Sequence, residues 1–234
     1  MLDDAFEALK KYDWGTDREP LAPITDAVAA AHGNPELRKD LQTRLLAALG
    51  SEISRDAKDY VCRMLTIVGT AAAAPVLAAL LGNENHSHMA RFALERIPAP
   101  EAANALRDAL PRLAPKLKIG AISSIGNRRD TEAVSALAGL LGDGDVAIAR
   151  AAAAALGHIG TSQAAQALNG AKTSAAEVGQ AVIDARLACA EALLASGKTA
   201  DAHAIYEALS GEKQPRLVRL AATRGKLACA AKSA

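Results

Sequence analysis

Aromatic side chains are scarce in this chain. Only six of its 234 residues are Phe, Trp or Tyr, although half of all residues are hydrophobic. Alanine, leucine, valine and isoleucine must therefore fill the interior, which favours helices that pack at close approach. Alanine is the strongest helix former, and the alanine runs at 71–74 and 151–155 are poor strand candidates. The composition therefore predicts an all-α fold.

Cysteine is also rare. Cys62, Cys189 and Cys229 are far apart, and none belongs to a CxxC or CxxCH motif, which argues against zinc and covalent haem. We expect three small buried thiols. His86 and His88 are two residues apart and point to different sides of a helix, so no metal site is predicted.

Charge of one sign is not in excess. The 27 basic and 26 acidic residues give a net charge of +1, which predicts no general attraction to nucleic acid or to an anionic membrane. No run of about 18 uncharged apolar residues is present. The first residues, MLDDAFEALKK, carry acids where a signal peptide would carry bases. We therefore expect a cytoplasmic protein by default. The alternative is an exported parent protein whose signal peptide has been removed from this chain.

Catalytic motifs are missing as well. The sequence has no G-x-S-x-G, and no cysteine is recognisably paired with a histidine. The segment ASGKTA at 195–200 contains GKT, but Ala192 stands where a phosphate-binding loop has its first glycine. We interpret this segment as a turn between helices, and we predict no catalytic residue and no cofactor.

Internal repetition is the strongest feature that is present. Similar apolar runs recur at steps of 31, 29, 31 and 31 residues, at Leu46, Leu77, Leu106, Leu137 and Leu168. Amphipathic segments show a similar period, because they end at steps of 29, 28 and 34 residues, at Gly69, Pro98, Gly126 and Gly160. A period of about thirty residues is typical of stacked arrays whose units cannot bury their apolar faces alone.

Helix caps and glycines divide this pattern into about fourteen helices. Asn34-Pro35 is a typical helix start, and Ser174 with Glu177 fits a capping box. The predicted pairs are 2–11 with 20–31, 35–49 with 54–68, 72–81 with 86–97, 100–110 with 115–125, 131–141 with 145–159, 162–171 with 175–196, and 199–210 with 214–230.

The best-formed unit, TEAVSALAGLLGDGDVAIARAAAAALGHIGTSQAAQAL at 131–168, resembles a bacterial HEAT repeat, in which LL-x-D-x-D precedes a helix ending ALG-x-IG. The resemblance covers about residues 35–197 and implies a right-handed α-solenoid of about seven antiparallel helix pairs. Where the family has Val-Arg, this unit has Ile148-Ala149-Arg150, so we expect the usual ladder of Asp and Arg between repeats to be displaced or absent. The strings DYVCRMLTIVGT and HSHMARFALERIP are similar to HEAT segments of large multidomain bacterial proteins, which implies a piece of a longer polypeptide.

The two ends of the predicted single domain, 1–234, differ from the repeats. Gly197, Ala202, Tyr206 and Leu209 follow the spacing of a tetratricopeptide-like helix pair. We therefore divide the domain into a cap at 1–34, HEAT-like repeats at 35–197 and a tetratricopeptide-like pair at 198–234. Half of the aromatics lie in the cap, and we expect them to cover the first repeat, the alternative being a partner-binding patch; they are Phe6, Tyr12 and Trp14.

Alignment of the repeats indicates a candidate binding surface. Ten positions before each segment end lies a polar or charged residue, at the edge of the apolar stripe: Asp59, His88, Lys116 and Arg150. Equivalent positions of stacked repeats project in parallel, so we expect these four residues to line one concave wall, with Arg91 and Arg96 nearby. The alternative is a solvated face, or charge pairs that only stabilise neighbouring repeats.

We therefore predict a non-enzymatic repeat scaffold that presents a concave surface to a protein or peptide, within a larger bacterial protein or assembly. Two alternatives stay open at this point. One is a lyase-like or accessory enzyme with a small-molecule pocket on the concave face, an activity that some HEAT-like bacterial proteins have on chromophores. The other is a structural spacer.

Overall fold

A computed structural model describes residues 1–173 and 175–233, without the side chain of Ser233. These residues form fourteen α-helices and no strand. Four short 3-10 segments accompany the helices, at Glu19–Leu21, Ala71–Ala73, Leu110–Arg112 and Thr131–Ala133. The helices are α1 (Leu2–Leu9), α2 (Ala22–Ala30), α3 (Pro35–Leu49), α4 (Arg55–Val68), α5 (Ala74–Ala79), α6 (Ser87–Arg96), α7 (Pro100–Ala109), α8 (Pro115–Arg128), α9 (Val134–Leu140), α10 (Val146–Ile159), α11 (Ser162–Asn169), α12 (Ala176–Ala195), α13 (Thr199–Leu209) and α14 (Arg216–Ser233).

The predicted all-α fold is confirmed, and the fourteen predicted helices are found with small shifts at their ends. The segments predicted at 72–81 and 131–141 are shortened most, by four residues each, because a 3-10 turn precedes each helix and α5 and α9 stop at Ala79 and Leu140. Ser174, predicted as the first residue of a capping box, lies outside the described residues, and α12 begins at Ala176.

Local chemistry explains the clearest helix ends. The side chain of Asn34 accepts a hydrogen bond from the Leu37 backbone nitrogen at 3.1 Å, and Ser54 Oγ accepts one from Ala57 at 2.9 Å. Each caps a helix by satisfying a backbone donor in its first turn. Gly160 ends α10 with a φ of +64°, a left-handed conformation that glycine adopts without strain.

The chain forms two compact units, Met1–Ala121 and Ile122–Ala234. In the first unit, helix pairs α3 with α4 and α4 with α6 pack together, and Leu65 and Leu94 are completely buried between helices. In the second unit, α10 packs against α9, α11 and α12, and Ile122 and Leu156 are buried in the same way. Each of the four lies four positions before one of the segment ends at 69, 98, 126 and 160, so the repeat spacing predicts one core column, and their burial confirms it.

The recurring leucines are core residues in four of five cases. Leu77, Leu106, Leu137 and Leu168 are buried, whereas Leu46 is half-buried. In α3 the core position belongs to its neighbour Leu45, which is completely buried. The three cysteines are buried free thiols, as predicted.

The N-terminal aromatics divide into buried and exposed residues. Tyr12 is buried, its ring centroid lies 6.4 Å from that of Tyr60, and its hydroxyl accepts a hydrogen bond from Arg18 Nε at 2.8 Å. Trp14 is 81% exposed, so the expectation that it covers the first repeat is wrong. The turn from Asp13 to Thr16, closed by hydrogen bonds between these two residues, places Trp14 outside the core.

Candidate binding site

Three of the predicted site residues lie in the first unit, each on the second helix of one predicted helix pair. Asp59 on α4 is half-buried, while His88 on α6 and Lys116 on α8 are exposed. Nothing in this unit joins the three side chains by a hydrogen bond or ion pair among the described residues. Their common wall therefore stays a prediction.

Asp59 has an unusual environment for a surface carboxylate. Its Oδ1 is buried and has no hydrogen-bond partner among the described residues. Burial raises the pKa of this carboxyl, an effect that the nearby charges of Arg55 and Arg63 oppose. The folded protein therefore favours the protonated form of Asp59 more than an unfolded chain does.

His86, which the repeat alignment did not select, shares this environment with Asp59. Burial lowers the pKa of His86, and the charge of Lys58 lowers it further, while Asp59 raises it. His86 Nδ1 and the hydroxyl of the neighbouring Ser87 are both buried without a hydrogen-bond partner among the described residues. The only sequence signal that could have identified His86 is its position directly before the helix that becomes α6.

Arg91 makes contacts inside the first unit. Its Nη1 donates a hydrogen bond to the Gly120 carbonyl of α8 at 3.0 Å, and burial lowers its pKa. A Cβ built on Gly120 would lie 2.5 Å from Arg91 Cζ, so the guanidinium occupies space that only a glycine leaves. Arg91 therefore fastens α6 to α8. Its predicted binding role stays a prediction.

Arg150 lies at a groove in the second unit. It is exposed, and the groove between α10 and α12 has a volume of about 470 Å³. Alanines form most of the lining, at positions 147, 151, 154, 181, 185 and 188. The charged or polar lining residues are Arg150 and His158 on α10 and Asp184 on α12. The groove is thus a mostly methyl-lined surface with both charge signs available.

Small residues produce this groove by letting α10 and α12 approach closely. A Cβ built on Gly157 would lie 3.0 Å from Ala185 Cα. Deeper in the contact, Cys189 Sγ lies 3.4 Å from the Leu156 carbonyl, which accepts a weak hydrogen bond from the thiol. Burial raises the pKa of Cys189 to about 11, so this thiol is not a nucleophile at neutral pH. Sequence reasoning selected Arg150 for one wall but did not identify α12 as the opposite wall.

A smaller cavity of about 250 Å³ lies among α11, α12 and α13. Arg186 lines it, half-buried, together with Gln166 and Asn169. Burial lowers the pKa of Arg186. No group of three or more His, Cys, Asp or Glu side chains within 1–173 and 175–233 is placed to hold a metal ion. None of the described helices is long and apolar enough to span a membrane.

The chain is similar to HEAT-repeat proteins in sequence and in structure. The family model for HEAT repeats matches residues 104–185. A HEAT-like repeats protein from the archaeon Thermococcus onnurineus NA1 has 14% identity and a TM-score of 0.51, over 100% of this chain and 98% of the archaeal one. No curated protein sequence matches the chain.

Two further solved structures have lower TM-scores. An engineered protein from a structural genomics consortium has 19% identity and a TM-score of 0.45, over 82% of this chain and 97% of its own. Human deoxyhypusine hydroxylase has 18% identity and a TM-score of 0.41, over 98% and 96% of the two chains. The likeness of fold rests on the archaeal protein. Residues 104–185 thus match HEAT repeats, and the chain has the all-α fold of a HEAT-like repeat protein.

Proposed function

We propose that the chain is a non-enzymatic repeat protein that binds an extended peptide segment of a protein partner. The observation that carries this proposal is the groove between α10 and α12, with its alanine lining and with Arg150, His158 and Asp184. From position 147 to 158, α10 rises about 16 Å, which is the length of about five extended residues. Small methyl groups leave room for a peptide backbone, and the charged side chains can fix its orientation.

The balanced charge of the chain favours a protein partner over a nucleic acid. With a net charge of +1, the chain as a whole carries no excess of positive charge that would attract phosphates. In the first unit, Asp59, His88 and Lys116, with Arg91 beside them, are our proposed additional contacts. The right-handed course of the array and the division into cap, repeats and tetratricopeptide-like pair are part of the same proposal.

The experiment is peptide selection followed by groove blocking. Peptides are selected from a displayed random library on the immobilised full chain. Their affinities for the original chain and for Ala154→Phe, which places a large ring in the groove, are then compared. Ala136→Phe, at an exposed position of α9 outside the lining, is the matched control. We expect Ala154→Phe to weaken binding at least about tenfold, because the ring occludes the contact surface, and Ala136→Phe to leave binding unchanged.

Single charge removals then map the surface. Arg150→Ala is expected to weaken the same peptides, and Lys116→Ala separately measures the proposed contacts of the first unit. Peptides that bind the groove-blocked variant as well as the original chain would contradict the proposal. Failure to select any peptide would favour the structural spacer. The enzyme alternative requires converging acid and base groups, such as Asp59 and His86, whose charges influence each other.

A further inference from the structure

Helix α14 has an apolar face that nothing in the described structure covers. Leu217, Leu220 and Leu227 are 79%, 56% and 68% exposed. At about 100° per residue, the three leucines lie within an arc of about 80° on one side of the helix. The alanines at 221, 228 and 231 share this side and are exposed. We refer to these six positions as the α14 leucine face.

The opposite side of α14 is already used for packing. Val218, Ala222 and Cys229 are buried, and α14 packs against α13 and α12. Gly225 admits the ring of Tyr206, because a Cβ there would lie 2.4 Å from that ring. The helix is therefore held in the second unit by one side, and the leucine face cannot turn inward to cover itself.

The charge of α14 has one sign. The helix contains five basic residues and no Asp or Glu. Lys226 forms an ion pair with Glu207 at 2.5 Å, and Lys232 donates to the Leu194 carbonyl at 3.0 Å. Arg216 and Arg224 are exposed, and their side chains have no ion-pair partner among the described residues.

Arg224 is the residue that distinguishes between possible occupants. On the helical wheel it lies inside the arc of the three leucines, so whatever covers them also covers its guanidinium. A lipid surface would draw this charge towards the acyl chains, which is costly, whereas a protein helix can offer it a carboxylate. The alanines also allow the close approach that helix packing requires.

We propose that the α14 leucine face binds an amphipathic helix of a partner protein that carries an apolar stripe flanked by acidic side chains. The leucines fill the grooves of the partner helix. Arg216 and Arg224 pair with its carboxylates. This surface contributes no residue to the α10–α12 groove, so the proposal goes beyond the peptide binding described above.

The probe is a fluorescein-labelled peptide of about twenty residues with leucines on one helical face and glutamates on both flanks. Its counterpart carries lysine in place of each glutamate. Both are titrated at nanomolar concentration with the full chain and followed by fluorescence anisotropy. We expect the glutamate peptide to bind at least about tenfold more tightly than the lysine peptide, since several charge pairs change sign between them.

Two variants test the residues. The double change Leu220→Gln and Leu227→Gln is expected to weaken the glutamate peptide at least about tenfold, because apolar burial is lost at two contact positions. Arg224→Glu is expected to reduce the preference for glutamate over lysine. Ile67→Gln is the matched control, since Ile67 is a 58% exposed aliphatic residue on α4 in the first unit. All four positions are exposed, so the circular dichroism spectrum and thermal midpoint should stay unchanged.

Three results would overturn the proposal. The first is equal affinity for both peptides, or affinity that the double variant does not change. The second is a dimer in sedimentation velocity that only the double variant dissociates, with no peptide binding, which would assign the face to a second copy of the chain. The third is binding to phosphatidylserine vesicles through the same leucines without peptide binding, which would assign it to a membrane.

Discussion

The core of this protein has few aromatics, so most of its largest fully buried side chains are leucines. Leu106 on α7 and Leu137 on α9 are completely buried in the first and second unit. Around them the core consists mainly of alanines and other leucines, which leave little freedom to refill a lost volume. Such positions are therefore sensitive to truncation.

We predict that Leu106→Ala or Leu137→Ala lowers the free energy of unfolding by about 2–5 kcal/mol, from lost burial and an unfilled cavity. Urea denaturation measures the change, and hydrogen exchange should locate the damage mainly in the neighbouring helices, since repeats depend on nearest neighbours. A loss below about 0.5 kcal/mol at both sites would mean that these leucines are not core residues.

Asp59 gives a pH-dependent prediction at the same scale. Its pKa is raised above the unfolded value near 3.8, so the folded state binds its proton more tightly and loses stability as the pH rises through that window. We therefore predict that Asp59→Asn raises the thermal midpoint at pH 7, by a small amount because the carboxyl is partly solvated. The difference should disappear below about pH 3.8, where both states are protonated.

Asp56→Asn is the control for this change. Asp56 lies in the first turn of α4, where a negative charge is favourable, so its removal should lower the midpoint or leave it unchanged. Scanning calorimetry at several pH values measures both variants. A lower midpoint for Asp59→Asn at pH 7 would contradict the burial cost assigned to this carboxylate.

At the scale of helices, close approach through glycine and alanine is the main packing device. Gly126 of α8 faces Ala155 of α10, and a Cβ added at Gly126 would lie 2.8 Å from the Ala155 Cα. The neighbouring contact of α10 with α12 repeats the arrangement at Gly157 and Ala185. The glycines inside these helices are thus packing residues, although glycine is unfavourable for helix formation.

We predict that Gly126→Ala destabilises the chain by about 1–3 kcal/mol, because the backbone it meets cannot move aside as a flexible side chain would. Gly139→Ala is the control, since Gly139 on α9 has nothing within 4 Å of an added Cβ. That change should stabilise the chain by about 0.5–1 kcal/mol through better helix propensity. Equal changes in the free energy of unfolding for the two substitutions, measured by chemical denaturation, would contradict the claim that the contact of α8 with α10 requires glycine at 126.

At the scale of the whole molecule, the repeat period together with helix caps and glycines predicts the helices, and the spacing of the segment ends predicts the core column. Leu65, Leu94, Ile122 and Leu156 follow from spacing alone because burial repeats with the helix pairs. The site was less predictable. The lowered pKa of His86 comes from burial and from the charge of Lys58 on α4, an element well before α6 in the sequence.

The same limit applies to the grooves. The repeat spacing selected Arg150, but the wall opposite it consists mainly of alanines on α12, which have no distinguishing pattern in an alanine-rich sequence. Arg91 was predicted as a surface residue because a sequence does not reveal that Gly120 leaves space for its guanidinium. Spacing indicates which side of a helix is buried, whereas the identity of the neighbour depends on packing.

The central claim is that the alanine-lined groove between α10 and α12 binds peptides, and methyl NMR of the alanine-labelled 24.1 kDa chain tests it most directly. A selected peptide is titrated into the protein, and the alanine methyl signals are assigned by substitution. We predict shifts concentrated on the groove alanines at 147, 151, 154, 181 and 188, with Ala136 unaffected. Shifts confined to alanines outside the groove would contradict the claim.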